Sequence, residues 1–255
     1  MKFAANLSLL FTELSPERRP KAAAEAGFTG VEVLFPYDMP AQELAQLCAG
    51  NALELALINT PEPDWDQGAR GSAALPGQHR KFRQEFSQAL EYAKISGATH
   101  VHIMSGIATG PEALDTFFDN LKWAAQQDPD QSLTIEPINP IDMPGYFLND
   151  FDLASRILAQ INAPNLSLQF DAYHAHRITS DVGAAWERHK SRVRHVQVAS
   201  AEGRHEPDIG TIDYKAFFAK LQAQSYGQWV SGEYFPVQST ADGLNWIKLL
   251  HPERS

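Results

Sequence analysis

The sequence holds little of several things, and each shortage excludes something. One cysteine, Cys48, occurs in 255 residues, so neither an intrachain disulfide nor a cysteine-cluster zinc site can form. Cys48 lies in Leu44-Ala45-Gln46-Leu47-Cys48-Ala49, a helix-like segment with no histidine in a suggestive context beside it. It reads as packing rather than a catalytic thiol. Basic residues are outnumbered, 21 Lys and Arg against 31 Asp and Glu, for a net charge of −10. That balance disfavours a nucleic-acid partner, which calls for a basic footprint. No apolar run approaches the roughly 18 residues of a membrane span. The start, Met1-Lys2-Phe3-Ala4-Ala5-Asn6, has no extended apolar stretch or small-residue cleavage site. A cytoplasmic protein with no membrane partner is expected. No low-complexity tract or Gly/Ser linker divides the chain, and 44% hydrophobic residues suffice for one large core. One domain over residues 1–255 is therefore expected.

What is present is an alternation of short aliphatic or β-branched runs with longer helix-period segments, the mark of βα units and a parallel sheet. The strand-like runs are residues 2–6, 30–34, 54–59, 100–104, 132–136, 166–171, 193–198 and 228–233. Ser15-Pro16-Glu17 supplies an N-cap with Pro at the first helical position, and that helix stops at Gly27. Phe82, Phe86, Ala89, Leu90 and Ala93 recur at helical spacing, as do Leu114, Phe117, Phe118, Leu121 and Ala125. Further helices are expected near 41–49, 150–160, 181–189, 214–224 and 240–250. Residues 60–77 form a long loop rich in Pro and Gly, of a length that is usually functional or disordered. About eight βα units in 255 residues predict an α/β fold of the (β/α)₈ barrel type. The alternative, a doubly wound open sheet, often carries a Gly-rich phosphate turn after its first strand, and Asn6-Leu7-Ser8-Leu9-Leu10 is no such turn.

In a barrel, the C-terminal strand ends converge on one mouth. Four successive strands end on a residue that is costly to bury unpaired: Glu136, Asp171, Gln197 and Glu233. They are separated by 35, 26 and 36 residues, one βα unit each. Three carboxylates crowded in a dry mouth repel and take up protons, and a divalent cation removes the conflict. All four offer oxygen, which suits a hard cation such as Mg²⁺ or Mn²⁺ better than Zn²⁺. These four are the candidate metal ligands. Taken singly, each could equally be a strand-end group paired with a neighbouring base.

Other residues are weighed against blander readings. His174, three residues past Asp171, can point across the mouth as a substrate hydrogen-bond donor or support a ligand; His176 is a weaker candidate. Arg204, after the seventh strand, is placed to hold an anionic group, because guanidinium pairs bidentately with carboxylate. Arg70, in the long loop, could close over the mouth as part of a lid. His100 and His102 alternate on a strand, and one is expected to face the helices and the other the interior. Trp123, Trp186 and Trp229 read as packing, and Lys190-Ser191-Arg192-Val193-Arg194 as a solvated helix end.

Taken together, the motifs resemble the hydroxypyruvate isomerase family, within the xylose isomerase-like barrels. The resemblance covers essentially the whole chain. It is carried by Phe3-Ala4-Ala5-Asn6-Leu7-Ser8, Gly30-Val31-Glu32-Val33-Leu34-Phe35-Pro36-Tyr37, Ile135-Glu136-Pro137-Ile138-Asn139-Pro140, Gln169-Phe170-Asp171-Ala172-Tyr173-His174, His195-Val196-Gln197 and Gly232-Glu233-Tyr234. It implies that Glu136 and Glu233 are the catalytic acid/base pair and that Glu136, Asp171, Gln197 and Glu233 hold the metal. Gly210-Thr211-Ile212-Asp213-Tyr214 departs from the Gly-Glu-Ile-Asn-Tyr of relatives, and Arg204-His205-Glu206-Pro207-Asp208 also resembles the 2-oxo-tetronate isomerase branch. The expected activity is interconversion of the aldose and ketose forms of a small anionic hydroxy-oxo acid. His174, Arg204 and Arg70 would position the substrate, and a homo-oligomer is compatible with the sequence. The competing readings are epimerisation of a neutral ketose, a non-catalytic sugar-acid-binding barrel, and an abasic-site nuclease built on several zinc ions.

Overall fold

In the computed structural model, which describes residues 1–250, eight parallel strands close into a barrel in chain order. They are β1 (Lys2–Asn6), β2 (Gly30–Val33), β3 (Glu54–Asn59), β4 (His100–His102), β5 (Ser132–Ile135), β6 (Leu166–Asp171), β7 (Val193–Val198) and β8 (Trp229–Gly232). β8 pairs back onto β1. Around them lie α1 (Arg19–Glu25), α2 (Ala41–Gly50), α3 (His79–Ser96), α4 (Pro111–Gln127), α5 (Phe151–Ile161), α6 (Ala172–Thr179), α7 (Val182–His189) and α8 (Tyr214–Ala223). Among the described residues no helix is long and apolar enough to cross a membrane.

Strand alternation sorts the side chains into two environments. Along β6, Leu166, Leu168 and Phe170 join the large apolar core under the helices. Ser167, Gln169 and Asp171, equally buried, line the barrel interior. The main hydrophobic core is thus the layer between strands and helices, and the interior is largely polar. Its floor is the exception. Trp229 packs with Ala4 and Ala56 in a small separate apolar cluster, and a Cβ at Gly30 would lie 2.5 Å from the indole. Only small residues leave room for that ring, so the floor is closed by one indole set among them.

Several expectations need correction. β4 stops at His102, because the chain then leaves the ladder and Ser105 bridges Gly71 of the long loop. Gly71 has φ +104, and a Cβ there would meet the Met104 carbonyl at 2.5 Å, so only glycine fits. α6 was not anticipated: Asp171 ends β6 and also caps this helix, accepting from Tyr173 N at 2.8 Å. In place of a helix over 240–250 there are two 3₁₀ turns, Ala241–Gly243 and Asn245–Leu250. His100 and His102 both face the interior, since residues two apart on a strand share a face; His100 meets the His195 ring, and His102 bonds Asn59 at 3.1 Å. Leu114 is exposed, α4 turning Ala113, Phe117 and Leu121 inward instead. Cys48 is buried, and burial pushes its thiol up to about 11, as a packing role requires.

Candidate active site

The polar strand ends meet at the C-terminal mouth, but on a staggered ring. Asp171 on β6 pairs in register with Gln197 on β7, and Ile135 with Leu168, so Glu136 stands beside Gln169. Gln169 Nε2 donates to Glu136 Oε2 at 3.1 Å. Glu136, His174, Gln197, Arg204 and Glu233 line one chamber of about 70 Å³, together with Asn59, His102 and Gln169. The ligand atoms of Glu136, Asp171 and His174 lie within 4.8 Å of one another. Glu233 is joined to them through Arg204, whose Nη2 donates to Asp171 Oδ2 at 3.2 Å and pairs with Glu233 Oε1 at 3.0 Å. Gln197 is engaged below, its Oε1 accepting from Gln169 at 2.7 Å and its Nε2 donating to Glu32 at 2.8 Å.

Burial and like charge dominate the electrostatics. Burial, then the charges of Glu233 and Asp171, raise Glu136 well above the usual carboxyl range. Burial lifts Glu233 to about 8 against the opposing pull of Arg204. Asp171 is raised by burial, with Arg204 and the backbone N–H groups of Tyr173 and His174 working the other way. Glu136 Oε1 is buried and has no hydrogen-bond partner. An orphaned carboxylate oxygen beside Asp171 and Glu233 is what a cation-binding chamber would present, so the oxygen donors fit a hard divalent ion.

Asn139 decides what His174 can do. The Asn139 carbonyl oxygen accepts from Ile141 N and Asp142 N at 3.1 and 3.0 Å, which turns its amide nitrogen onto His174 Nδ1 at 2.7 Å. Nδ1 is therefore an acceptor. Burial, then Arg204, keep the ring neutral by holding its pKa well below the usual value. The proton then sits on Nε2, 3.6 Å from Asp171 and 4.0 Å from Glu136. In that tautomer Nε2 is a hydrogen-bond donor.

Arg204 sits on the loop after β7 with φ +56, behind Gly203 at φ +71. Its carbonyl accepts from Phe235 N at 2.8 Å, tying the β7 and β8 loops together. Arg70 is not brought to the carboxylates: it donates to the carbonyls of Trp65 and Ala69, and its guanidinium stacks on Trp65 at 4.0 Å. Trp65 in turn lines a second cavity of about 540 Å³, mostly apolar, that shares Leu34, Arg204 and Glu233 with the chamber. His176, on α6, lines a different cavity, with Asp181 and Lys220. Trp186 and Trp229 are buried, and Trp123 meets Phe82 and Phe86 edge-on, all three serving packing. Lys190 pairs with Glu187 on the surface at 2.5 Å.

The reading by strand ends missed Glu32, which is fully buried. The signal was present: an acid between valines in Gly30-Val31-Glu32-Val33, inside a strand flanked by helices on its outer face.

Comparison with known proteins places this geometry in a family. Residues 20–250 match the profile of the xylose isomerase-like TIM barrels, to which the chain belongs. It is 41% identical over 253 residues to the 2-oxo-tetronate isomerase of Cupriavidus necator, covering 97% of each chain. It is 35% identical to the hydroxypyruvate isomerase of Escherichia coli K12, covering 97% of this chain and 98% of that one. A crystal structure from Brucella melitensis, titled AP endonuclease, family 2, superposes with a TM-score of 0.93 at 39% identity, over 96% of this chain and 97% of that one. Within the family the chain is an isomerase.

Proposed function

We propose that the protein interconverts the ketose and aldose forms of a three- or four-carbon hydroxy-oxo acid, in the manner of hydroxypyruvate or 2-oxo-tetronate. The observation that carries this reading is the pair of buried carboxyls, Glu136 and Glu233, both lifted far from their usual range in one small chamber. Raised in this direction, a buried carboxyl holds a proton more readily than a free one and can still give it up. One removes the proton from the carbon beside the carbonyl, and the other delivers a proton to the former carbonyl carbon. His174 Nε2–H donates to a substrate oxygen. Arg204 takes the substrate carboxylate and, in doing so, exchanges its bonds to Asp171 and Glu233 for bonds to the ligand. A divalent cation, Mg²⁺ or Mn²⁺, held by Glu136, Asp171, Glu233 and Gln197, would polarise the carbonyl and stabilise charge on its oxygen.

Arg204, the one Lys or Arg lining the chamber among the described residues, favours an anionic substrate. The acidic balance speaks against the nucleic-acid substrate that the name of the Brucella protein implies. The test is a turnover screen by NMR of three- and four-carbon hydroxy-oxo acids, neutral short ketoses and abasic DNA, with and without Mg²⁺ or Mn²⁺. Turnover confined to the anionic acids is the expected result. Turnover of neutral ketoses alone, or cleavage of the DNA, would overturn the reading.

A further inference from the structure

We propose that Glu32, which reaches neither the substrate chamber nor its mouth, is a positioning residue that sets which way the active-site amides point. Glu32 stands on β2 and reaches across the barrel to β7, past β1 and β8. Its carboxylate accepts three hydrogen bonds: from Asn6 Nδ2 at 2.8 Å, Gln197 Nε2 at 2.8 Å and His195 Nε2 at 2.7 Å. The Asn6 amide cannot turn over, because its oxygen accepts from Ser8 N at 3.0 Å.

A carboxylate is an acceptor only, so Gln197 must present its nitrogen to Glu32 and its oxygen to the other side. That oxygen faces Gln169, which gives one N–H to Gln197 Oε1 and the other to Glu136 Oε2. Gln169 is locked in turn by Thr134, whose hydroxyl donates to its oxygen at 3.0 Å. One fixed charge thus orders two amides in sequence. Gln197 offers the chamber an oxygen, and Glu136 is bound through Oε2, with Oε1 left unpartnered. Either amide alone could rotate by half a turn at little cost in shape, so the order has to come from a group with no second orientation. Glu32 is that group.

The inference rests on the proposed roles of Gln197 as a ligand and Glu136 as an acid/base. Partners of ligating and catalytic groups commonly carry ten- to hundredfold effects on metal affinity or rate. Mn²⁺ affinity by titration calorimetry, kcat, KM and the unfolding midpoint are measured for the wild type, Glu32→Gln and Glu32→Asp. Glu32→Gln permits the amides to turn over. It is expected to weaken Mn²⁺ binding and lower kcat by about ten- to hundredfold each, with a smaller change in KM. Glu32→Asp keeps an acceptor-only carboxylate at this position, one methylene shorter. Its Mn²⁺ affinity and kcat are expected to recover most of that loss. Glu32→Gln with near-wild-type affinity and kcat overturns the proposal, even if its unfolding midpoint falls. So does a Glu32→Asp variant no better than Glu32→Gln. If the wild type binds no Mn²⁺, the metal reading fails by itself, and kcat of the two variants still decides the role of Glu32 through Gln169 and Glu136.

Discussion

The floor and the mouth of this barrel are built from the same eight strands and obey opposite rules. At the floor, Trp229 is set among Ala4, Ala56 and Gly30, and Lys2 lies over its ring at 4.8 Å while pairing with Glu54. Shape is complementary and no charge is buried alone. At the mouth, Glu136, Asp171 and Glu233 are crowded together, with Arg204 as the one Lys or Arg lining the chamber. Midway stands Glu32, as deeply buried as any of them yet holding three hydrogen bonds. Burial of a carboxylate is therefore not what marks the active end: Glu32 is fully partnered, whereas Glu136 Oε1 has no hydrogen bond. The floor contributes stability, and the mouth gives some of it up in exchange for groups that can move protons.

This contrast can be broken by substitution at either end. Glu136→Gln should lower kcat by about 10²- to 10⁴-fold while leaving the unfolding midpoint nearly unchanged, because the amide keeps the size of the carboxyl; near-normal turnover would refute its catalytic role. Trp229→Ala should do the reverse, costing about 3–5 kcal/mol of stability with kcat per folded molecule retained. Loss of turnover in the folded fraction would show that floor and mouth are coupled. Gly30→Ala should cost about 1–3 kcal/mol by overpacking the indole, and a neutral result in a denaturant titration would mean the ring can withdraw.

The mouth should also show itself in a pH slope. Glu233 is lifted to about 8 in the folded chain from an ordinary 4.5. Between those values the folded state holds a proton that the unfolded chain has released, so stability falls as pH rises through the window. Melting in chelator from pH 5 to 8 should show this decline. A rising profile would place the charge balance of the mouth elsewhere.

The strand ends were legible in the sequence because a buried parallel strand is nearly all apolar, so Glu136, Asp171, Gln197 and Glu233 stand out at one-unit spacing. The helix after Asp171 was hidden, because its cap residue is also the last residue of a strand. His100 and His102 share a face, against the expectation of opposite faces, because the strand period puts residues two apart on one side. Glu32 stood in plain view within a motif but could not be given a role. Its partner His195 lies 163 residues away, across the closed barrel.

By itself the sequence determined the eightfold alternation, the apolar layer beneath the helices and the acids at the mouth, since these depend on local periodicity and on which residues tolerate burial. Which acid is satisfied and which is left wanting depended on closure of the barrel, as did the Asn139-imposed tautomer of His174 and the pairing of Arg204 with Asp171 and Glu233. Hydrogen bonds are directional and short-ranged, so they become definite only when distant segments are brought within 3 Å or so of one another, and only the tertiary structure does that.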